Sequence, residues 1–96
     1  MVRNVVLVEL NTDADRGAVA AIQDGFRRLD CQGTVRYTLG DDLGLRDGNW
    51  SFAIVADFED ETAYRRYDED AEHNRLRGLL GPHAERIARV QFEFPG

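Results

Sequence analysis

Hydrophobic and polar residues alternate with a period of two in four segments of this 96-residue chain. The segments are residues 2–10, 34–39, 50–59 and 86–94. This period predicts β-strands, because successive side chains of a strand point to opposite faces of a sheet. In the first segment both faces are partly apolar. One face carries Asn4, Val6, Val8 and Leu10, and the other carries Arg3, Val5, Leu7 and Glu9.

Apolar residues recur at helical spacing in the segments between these strands. Residues 13–30 place Val19, Ile22 and Phe26 on one side, which predicts an amphipathic helix. After the third strand, Asp60 can cap a short helix, and Asp70 can cap a second one that ends at Gly81 and Pro82. The sequence therefore predicts two short helices in place of one long helix.

The predicted order is β-α-β-β-α-β, counting the two short helices as one unit. This order is typical of the α+β ferredoxin-like fold, a four-stranded antiparallel sheet with its helices on one face. The other face would then be uncovered and too apolar to remain in water, so we expect a homodimer to form through it. Its predicted centre is Val5, Leu7, Ala53 and Val55, and its predicted fringe is Arg3, Glu9, Arg36, Asp57 and Arg89.

Length and charge narrow the possible functions. The length suits one domain over residues 1–96, and the net charge of −6 opposes binding to nucleic acid or to an anionic membrane. Cys31 is the one cysteine, so no disulfide can form within the chain, and we expect a reducing cytoplasm. The first residues show no pattern of a signal peptide or of a membrane anchor.

Tyr67 and His73 are the residues that could carry chemistry. On one continuous helix they would lie about 240° apart around the axis and could not cooperate. A helix break at Asp70 would allow both side chains to enter the space between helices and sheet. The imidazole could then accept the phenol proton, forming an acid/base pair at the end of an apolar cavity. We expect the neighbouring carboxylates Asp68, Glu69, Asp70 and Glu72 to favour protonated His73.

A purely structural interpretation competes with catalysis. A buried tyrosine hydroxyl needs a hydrogen-bond partner, and a histidine in the first turn of a helix can provide one. His83 is expected near the surface, and Cys31 has no local partner that would mark it as a nucleophile. The sequence shows neither metal-ligand spacing nor a phosphate-binding glycine motif, so we expect no cofactor and no metal.

The run Phe58-Glu59-Asp60, followed by Tyr67 and His73, resembles the stress-responsive α/β-barrel (Dabb) family. The resemblance extends from the first strand to Val90–Phe94 and implies a homodimer in which two sheets close into a barrel. It also implies the activity of the cofactor-independent polyketide cyclases of this superfamily, an intramolecular aldol condensation. By this resemblance Tyr67 and His73 are the catalytic residues. The substrate-binding residues are Asn4, Val6, Ile22, Phe26, Phe52 and Ile54.

This chain departs from the cyclase pattern in two places. Asn4 stands where the cyclase has a pocket histidine, and Asp70-Ala71-Glu72-His73 stands where a His-Pro-x-His run is common. Two other classes of function therefore remain open. One is a stress-associated protein that binds a small apolar ligand without turnover, and the other is a dimerisation module with a filled core.

Overall fold

The computed structural model describes residues 1–96. The strands are β1 (Val2–Leu10), β2 (Thr34–Asp41), β3 (Phe52–Phe58) and β4 (Ala84–Glu93). The helices are α1 (Arg16–Arg27), α2 (Glu61–Asp68) and α3 (Ala71–Leu80), and a 3₁₀ turn, Gly81–His83, leads into β4. The ferredoxin-like order and the two short helices are confirmed.

The four strands form one antiparallel sheet in the order β2-β3-β1-β4. Val6 lies between Ile54 of β3 and Arg89 of β4 in the register. Residues that are paired across neighbouring strands point to the same face of the sheet. Val8 and Ile54 point toward the helices, so the β4 residues paired with Val6 and Val8 also point toward the helices.

Arg89 does not lie on the face of the sheet that the sequence predicted for it. It pairs with Val6, so it lies on the helix side of the sheet together with Ile87. The prediction that Arg89 fringes the open face is therefore wrong, because the register of β4 places Val90 and Phe92 there, opposite Val5 and Arg3. A one-residue offset in a strand moves every side chain to the other face.

Each helix begins at an aspartate whose side chain accepts a backbone hydrogen bond. Asp15 accepts from the N–H of Ala18, and Asp60 accepts from the N–H of Ala63 at 2.8 Å. Asp70 accepts from the N–H of His73 at 2.9 Å. Such a cap satisfies a donor that the first helical turn leaves free, so it fixes where the helix starts.

The core lies between the helices and one face of the sheet. Gly25 lets α1 approach α3 closely, since a Cβ atom at this position would lie 2.6 Å from Leu76 Cδ2. A smaller second cluster under α2 includes Tyr67. The larger core cluster contains Val8, Val19, Ile22, Phe26, Leu39, Phe52, Ile54, Leu76 and Leu80.

Candidate functional site

The break between α2 and α3 brings Tyr67 and His73 together. Helix α2 ends at Asp68, and α3 starts after its cap, Asp70. The centroids of the phenol and imidazole rings lie 4.1 Å apart, with an angle of 39° between the ring planes. Both residues are buried, at 3% and 6% exposure. The sequence prediction of a helix break is confirmed.

The hydroxyl group of Tyr67 bonds to Tyr37 and not to His73. The two hydroxyl oxygens lie 2.9 Å apart, and the rings of Tyr37 and Tyr67 tilt toward each other at a centroid distance of 5.9 Å. The expected hydrogen bond from Tyr67 to the imidazole is therefore not formed in this structure. The rings of Tyr67 and His73 contact each other in a tilted stack, and the Tyr67 hydroxyl group points toward β2.

Tyr37 is a site residue that the sequence analysis missed. The alternation of β2 placed Tyr37 on the same face as Leu39, which was a signal that it points toward the helices. That pattern could not show that its hydroxyl group reaches a residue of α2. Burial raises the pKa of Tyr37 to about 12, although the hydrogen bond with Tyr67 acts in the opposite direction.

Tyr67 is also held in its neutral form. Burial raises the pKa of its hydroxyl group, and the interactions with Tyr37 raise this pKa further. Both phenols therefore keep their protons at neutral pH. Each neutral hydroxyl group can donate one hydrogen bond and accept another. Tyr37 can therefore donate to Tyr67 while Tyr67 donates to a third group.

His73 carries a buried polar atom without a partner. Its Nδ1 atom makes no hydrogen bond, and its ring packs edge-on against Phe26 at a centroid distance of 6.1 Å. Buried polar atoms without partners are rare in folded proteins, because each one has lost its hydrogen bonds to water. They are often found where a ligand supplies the missing bond.

The pKa of His73 is lowered, contrary to the expectation from its acidic neighbours. Burial is the largest cause, and the positive charge of Arg77 acts in the same direction. A backbone hydrogen bond with Asp68 and the charges of Asp68 and Asp70 oppose this shift without overcoming it. Loss of solvent around the ring outweighs the nearby carboxylates, so the imidazole is neutral near pH 7 and can accept a proton.

A pocket of about 440 Å³ opens beside this histidine, between the helices and the β1–β4 half of the sheet. Its apolar wall is formed by Val6, Val8, Phe26, Ile54, Leu80 and Ile87. Its polar wall is formed by Asn4, Tyr64, Tyr67, Asp68, His73, Asn74, Arg77 and Arg89.

Four of the six residues proposed to bind substrate line this pocket, namely Asn4, Val6, Phe26 and Ile54. Ile22 and Phe52 do not, and they lie in the hydrophobic core instead. Phe52 is opposite Val8 near the end of β1, where the helix side of the sheet is filled by core side chains. Sharing a sheet face with Ile54 was therefore not enough to bring Phe52 to the pocket.

Asn4 is fixed by a neighbour on β4. Its Oδ1 atom accepts a hydrogen bond from Gln91 Nε2 at 2.8 Å, and Asn4 is 4% exposed. The amide N–H₂ group of Asn4 makes no hydrogen bond within the chain, so it can donate to another group. Asn4 thus contributes a neutral donor at the position where the cyclase pattern has a base.

The comparison with protein families decides the classification. The sequence profile of the stress responsive A/B barrel domain (Dabb) family matches residues 2–94. The chain belongs to this family. No curated protein matches the chain.

Solved structures agree with the A/B barrel classification. A dimeric ferredoxin-like protein of unknown function from Thermobifida fusca is 27% identical, with a TM-score of 0.89. The match covers 97% of this chain and 90% of that chain. Dimer formation is therefore found in a protein that is similar to this chain over nearly its whole length.

Two neighbours with lower identity share the fold. A hydroxynitrile lyase from Passiflora edulis is 16% identical with a TM-score of 0.82, and the match covers 98% of this chain and 96% of that chain. A protein described as a possible oxidoreductase, from Bacteroides thetaiotaomicron, is 21% identical with a TM-score of 0.78. That match covers 97% of this chain and 96% of that chain. Small enzymes and binding proteins are both compatible with this A/B barrel fold.

The other candidate residues lie outside the pocket. His83 is partly exposed in the 3₁₀ turn before β4. Cys31 is partly buried, and its pKa is raised first by burial and then by Asp70 and Asp30, which disfavours the reactive thiolate. No group of three His, Cys, Asp or Glu side chains is placed to hold a metal ion, and no helix has the length and apolar character to cross a membrane.

Proposed function

We propose that this chain is a small cofactor-independent enzyme that removes a proton from carbon next to a carbonyl group. The observation that carries the proposal is the buried, neutral His73, whose Nδ1 atom has no partner, beside a pocket large enough for a small molecule. A general base must lie within reach of its substrate and must be unprotonated at the working pH. Its lowered pKa meets the second requirement, and its place in the pocket wall meets the first.

The hydroxyl groups of Tyr37 and Tyr67 supply the complementary donor. With Tyr37 donating to Tyr67, the proton of Tyr67 is free to bond to a carbonyl oxygen of the substrate. When His73 takes the carbon-bound proton, the electron pair of the C–H bond forms a carbon–carbon double bond, and the π electron pair of the carbonyl group moves to its oxygen, which gives an enolate. A neutral donor aimed at the developing negative charge stabilises it more than it stabilises the uncharged substrate.

The reaction that we propose is the intramolecular aldol condensation of a polyketide cyclase. The enolate carbon attacks a second carbonyl carbon of the same molecule and forms a carbon–carbon bond. The resulting alkoxide takes the proton from His73, which returns the base to its neutral state, and loss of water from this aldol product completes the condensation. A related lyase or isomerase would use the same first step, because each begins with loss of a proton next to a carbonyl group.

We further propose that the working form is a homodimer joined through the open face of the sheet. Leu7, Val90 and Phe92 are 43%, 55% and 45% exposed on this face. An exposed apolar surface on one face of a sheet is commonly buried against another chain. The dimeric relative from Thermobifida fusca supports the formation of a dimer.

The test offers a linear poly-β-ketone both as its thioester and as the free acid, and it compares two histidine variants. His73→Ala is expected to lower the rate of cyclisation by about a hundredfold or more, which is typical for loss of a general base. His83→Ala is the matched control and should retain the wild-type rate, since His83 lies outside the pocket. Equal turnover by wild type and His73→Ala would remove the catalytic role assigned to His73.

A second candidate is a binding protein that holds a small ligand without turnover. The contact that favours it is the hydrogen bond between Tyr37 and Tyr67, which already engages the Tyr67 hydroxyl group and leaves no bond to His73. Ligands that raise the melting temperature and remain chemically unchanged would support binding alone. Product formation that depends on His73 would exclude it.

A further inference from the structure

The mouth of the pocket carries more positive than negative charge. Arg77 reaches the pocket from α3, and Arg89 reaches it from β4 on the sheet side. Asp68 is the only carboxylate in the lining, and its Oδ1 atom lies 3.8 Å from Arg77 Nη1. Arg89 forms neither a hydrogen bond nor an ion pair with another residue, so one guanidinium charge remains without a counterion.

This local charge contrasts with the rest of the molecule. The chain has a net charge of −6, which disfavours anions in general. The pocket, which has an arginine without a counterion, should therefore attract anions, whereas the surrounding surface should repel them. The fields of Arg89 and Arg77 extend to α2, where both lower the pKa of Tyr64 against the larger, raising effect of its burial.

The neutral polar groups next to Arg89 are hydrogen-bond donors. Arg89 lies opposite Val6, two residues along β1 from Asn4 and on the same face. Gln91 donates a hydrogen bond to Asn4 Oδ1, and the amide N–H₂ group of Asn4 makes no hydrogen bond within the chain. A guanidinium fork beside an amide donor is the combination that binds a planar carboxylate well.

We propose that the ligand of this pocket is a carbonyl compound that carries a free carboxylate, which Arg89 binds at the mouth while Val6, Phe26 and Ile54 contact its apolar body. The inference rests on the proposed function in taking this pocket as the ligand site. It adds a substrate class, because a poly-β-ketone would bind as its free acid in preference to a neutral ester. The carboxylate at Arg89 orients the molecule, and His73 then faces the carbon atoms farther inside.

The test compares β-benzoylpropionate with its methyl ester as probes of equal shape and different charge. Both contain a ketone and a phenyl ring, but only the acid is an anion near pH 7. Wild-type protein is expected to bind the acid about tenfold more tightly than the ester, corresponding to one charge-assisted hydrogen-bonding contact at a partly exposed site. Isothermal titration at low salt measures both affinities, and the preference should shrink as salt is added.

Arg89→Gln separates the effect of this arginine from a general attraction to anions. The variant is expected to bind acid and ester within about twofold of each other, because the tenfold preference resides in the guanidinium charge. Arg16→Gln is the matched control, since Arg16 is also exposed, makes no ion pair, and lies outside the pocket. It changes the net charge by the same amount and should keep the full preference.

His73 and His83 provide an independent readout by NMR, because they are the two histidines of the chain. A carboxylate bound in the pocket should raise the pKa of His73, since a negative charge nearby favours the protonated ring. The methyl ester should produce no such rise, and the NMR signals of His83 should not respond to either probe.

Several outcomes would overturn the inference. These are equal affinity of wild type for acid and ester, no binding of the acid at millimolar concentration, or an unchanged preference in Arg89→Gln. None of these measurements depends on turnover. Selective binding of the acid by a protein that shows no cyclisation would therefore reject the proposed reaction and retain the carboxylate site.

Discussion

The two faces of the sheet are built from the same alternating strands, but one face is buried and the other is exposed. In β1, Val8 is fully buried under the helices, whereas its neighbour Leu7 is 43% exposed on the open face. Phe58 and Phe92 show the same contrast at 0% and 45%. Apolar character alone therefore does not decide burial, because burial requires a covering layer and the helices supply it for one face.

The faces also differ in how they treat polar groups. On the open face, Arg3 and Asp57 form a two-bond ion pair, with Arg3 Nε 2.7 Å from Asp57 Oδ1. On the helix side, the imidazole of His73 is buried with an unpartnered Nδ1. The open face pairs the buried charge of Asp57 with Arg3 and is apolar in its middle, as an interface requires. The helix side keeps one unsatisfied group beside a pocket, as a binding site requires.

Replacing one phenylalanine on each face should give the largest difference. Phe58→Ala removes a fully buried ring and is expected to lower the free energy of unfolding by about 3–5 kcal/mol. Phe92→Ala removes a half-exposed ring and should cost less than about 1 kcal/mol in dilute, monomeric protein. Urea unfolding at low protein concentration measures both values.

Raising the protein concentration then tests the open face. Wild type should gain apparent stability with concentration as dimers form, and Phe92→Ala should gain less because its interface is weakened. Sedimentation velocity provides the matching masses. A wild-type protein that stays monomeric at high concentration would contradict dimer formation through this face, and equal costs for the two variants would contradict the exposure of Phe92.

Removing the hydroxyl groups of Tyr37 and Tyr67 should have an intermediate effect on the helix side. Each single change to phenylalanine leaves the other hydroxyl group buried without its partner, which costs about 1–3 kcal/mol. The double variant should be less destabilised than the sum of the two single variants, because no unpartnered hydroxyl group remains. Chemical denaturation of all four proteins completes the cycle, and additive costs would show that the hydrogen bond contributes nothing.

The sequence predicted the elements of the fold because their signals are local. The caps Asp60 and Asp70 lie three residues before the N–H groups that they bind, so residue type and spacing were enough to place both helix starts. The alternation of β1 likewise gave its two faces without further information. The helix break that follows from Asp70 was sufficient to predict that Tyr67 and His73 approach each other.

The remaining errors concern pairings between distant segments. Arg89 was assigned to the wrong face because the register of β4 against β1 is not encoded in the alternation of β4 itself. The partner of Tyr67 was missed because Tyr37 is 30 residues away along the chain. The direction of the His73 pKa shift depends on burial by Phe26 and its other neighbours, which outweighs the acidic residues visible in the sequence.

The smallest expected differences are in how the two faces respond to acid. The pKa of His73 is lowered in the folded protein, mainly by burial, so the unfolded chain binds a proton first as the pH falls below about 6.5. Stability on the helix side is therefore complete above that pH and is lost as the pH falls toward the folded-state pKa. His73→Gln should remove this part of the pH dependence.

Asp57 on the open face should respond in a lower pH range. The hydrogen bonds from Arg3 hold the pKa of this carboxyl group below its usual value, despite the opposing effect of burial. Its contribution is present above about pH 4 and is lost as the pH falls through the lower folded-state pKa. Urea unfolding across the pH range should show a constant difference in stability between Asp57→Asn and wild type above about pH 4, and this difference should shrink below it. The difference between His73→Gln and wild type should already change near pH 6. A difference between His73→Gln and wild type that stays constant between these pH values would mean that the imidazole is not held neutral, and the case for it as the base would fail.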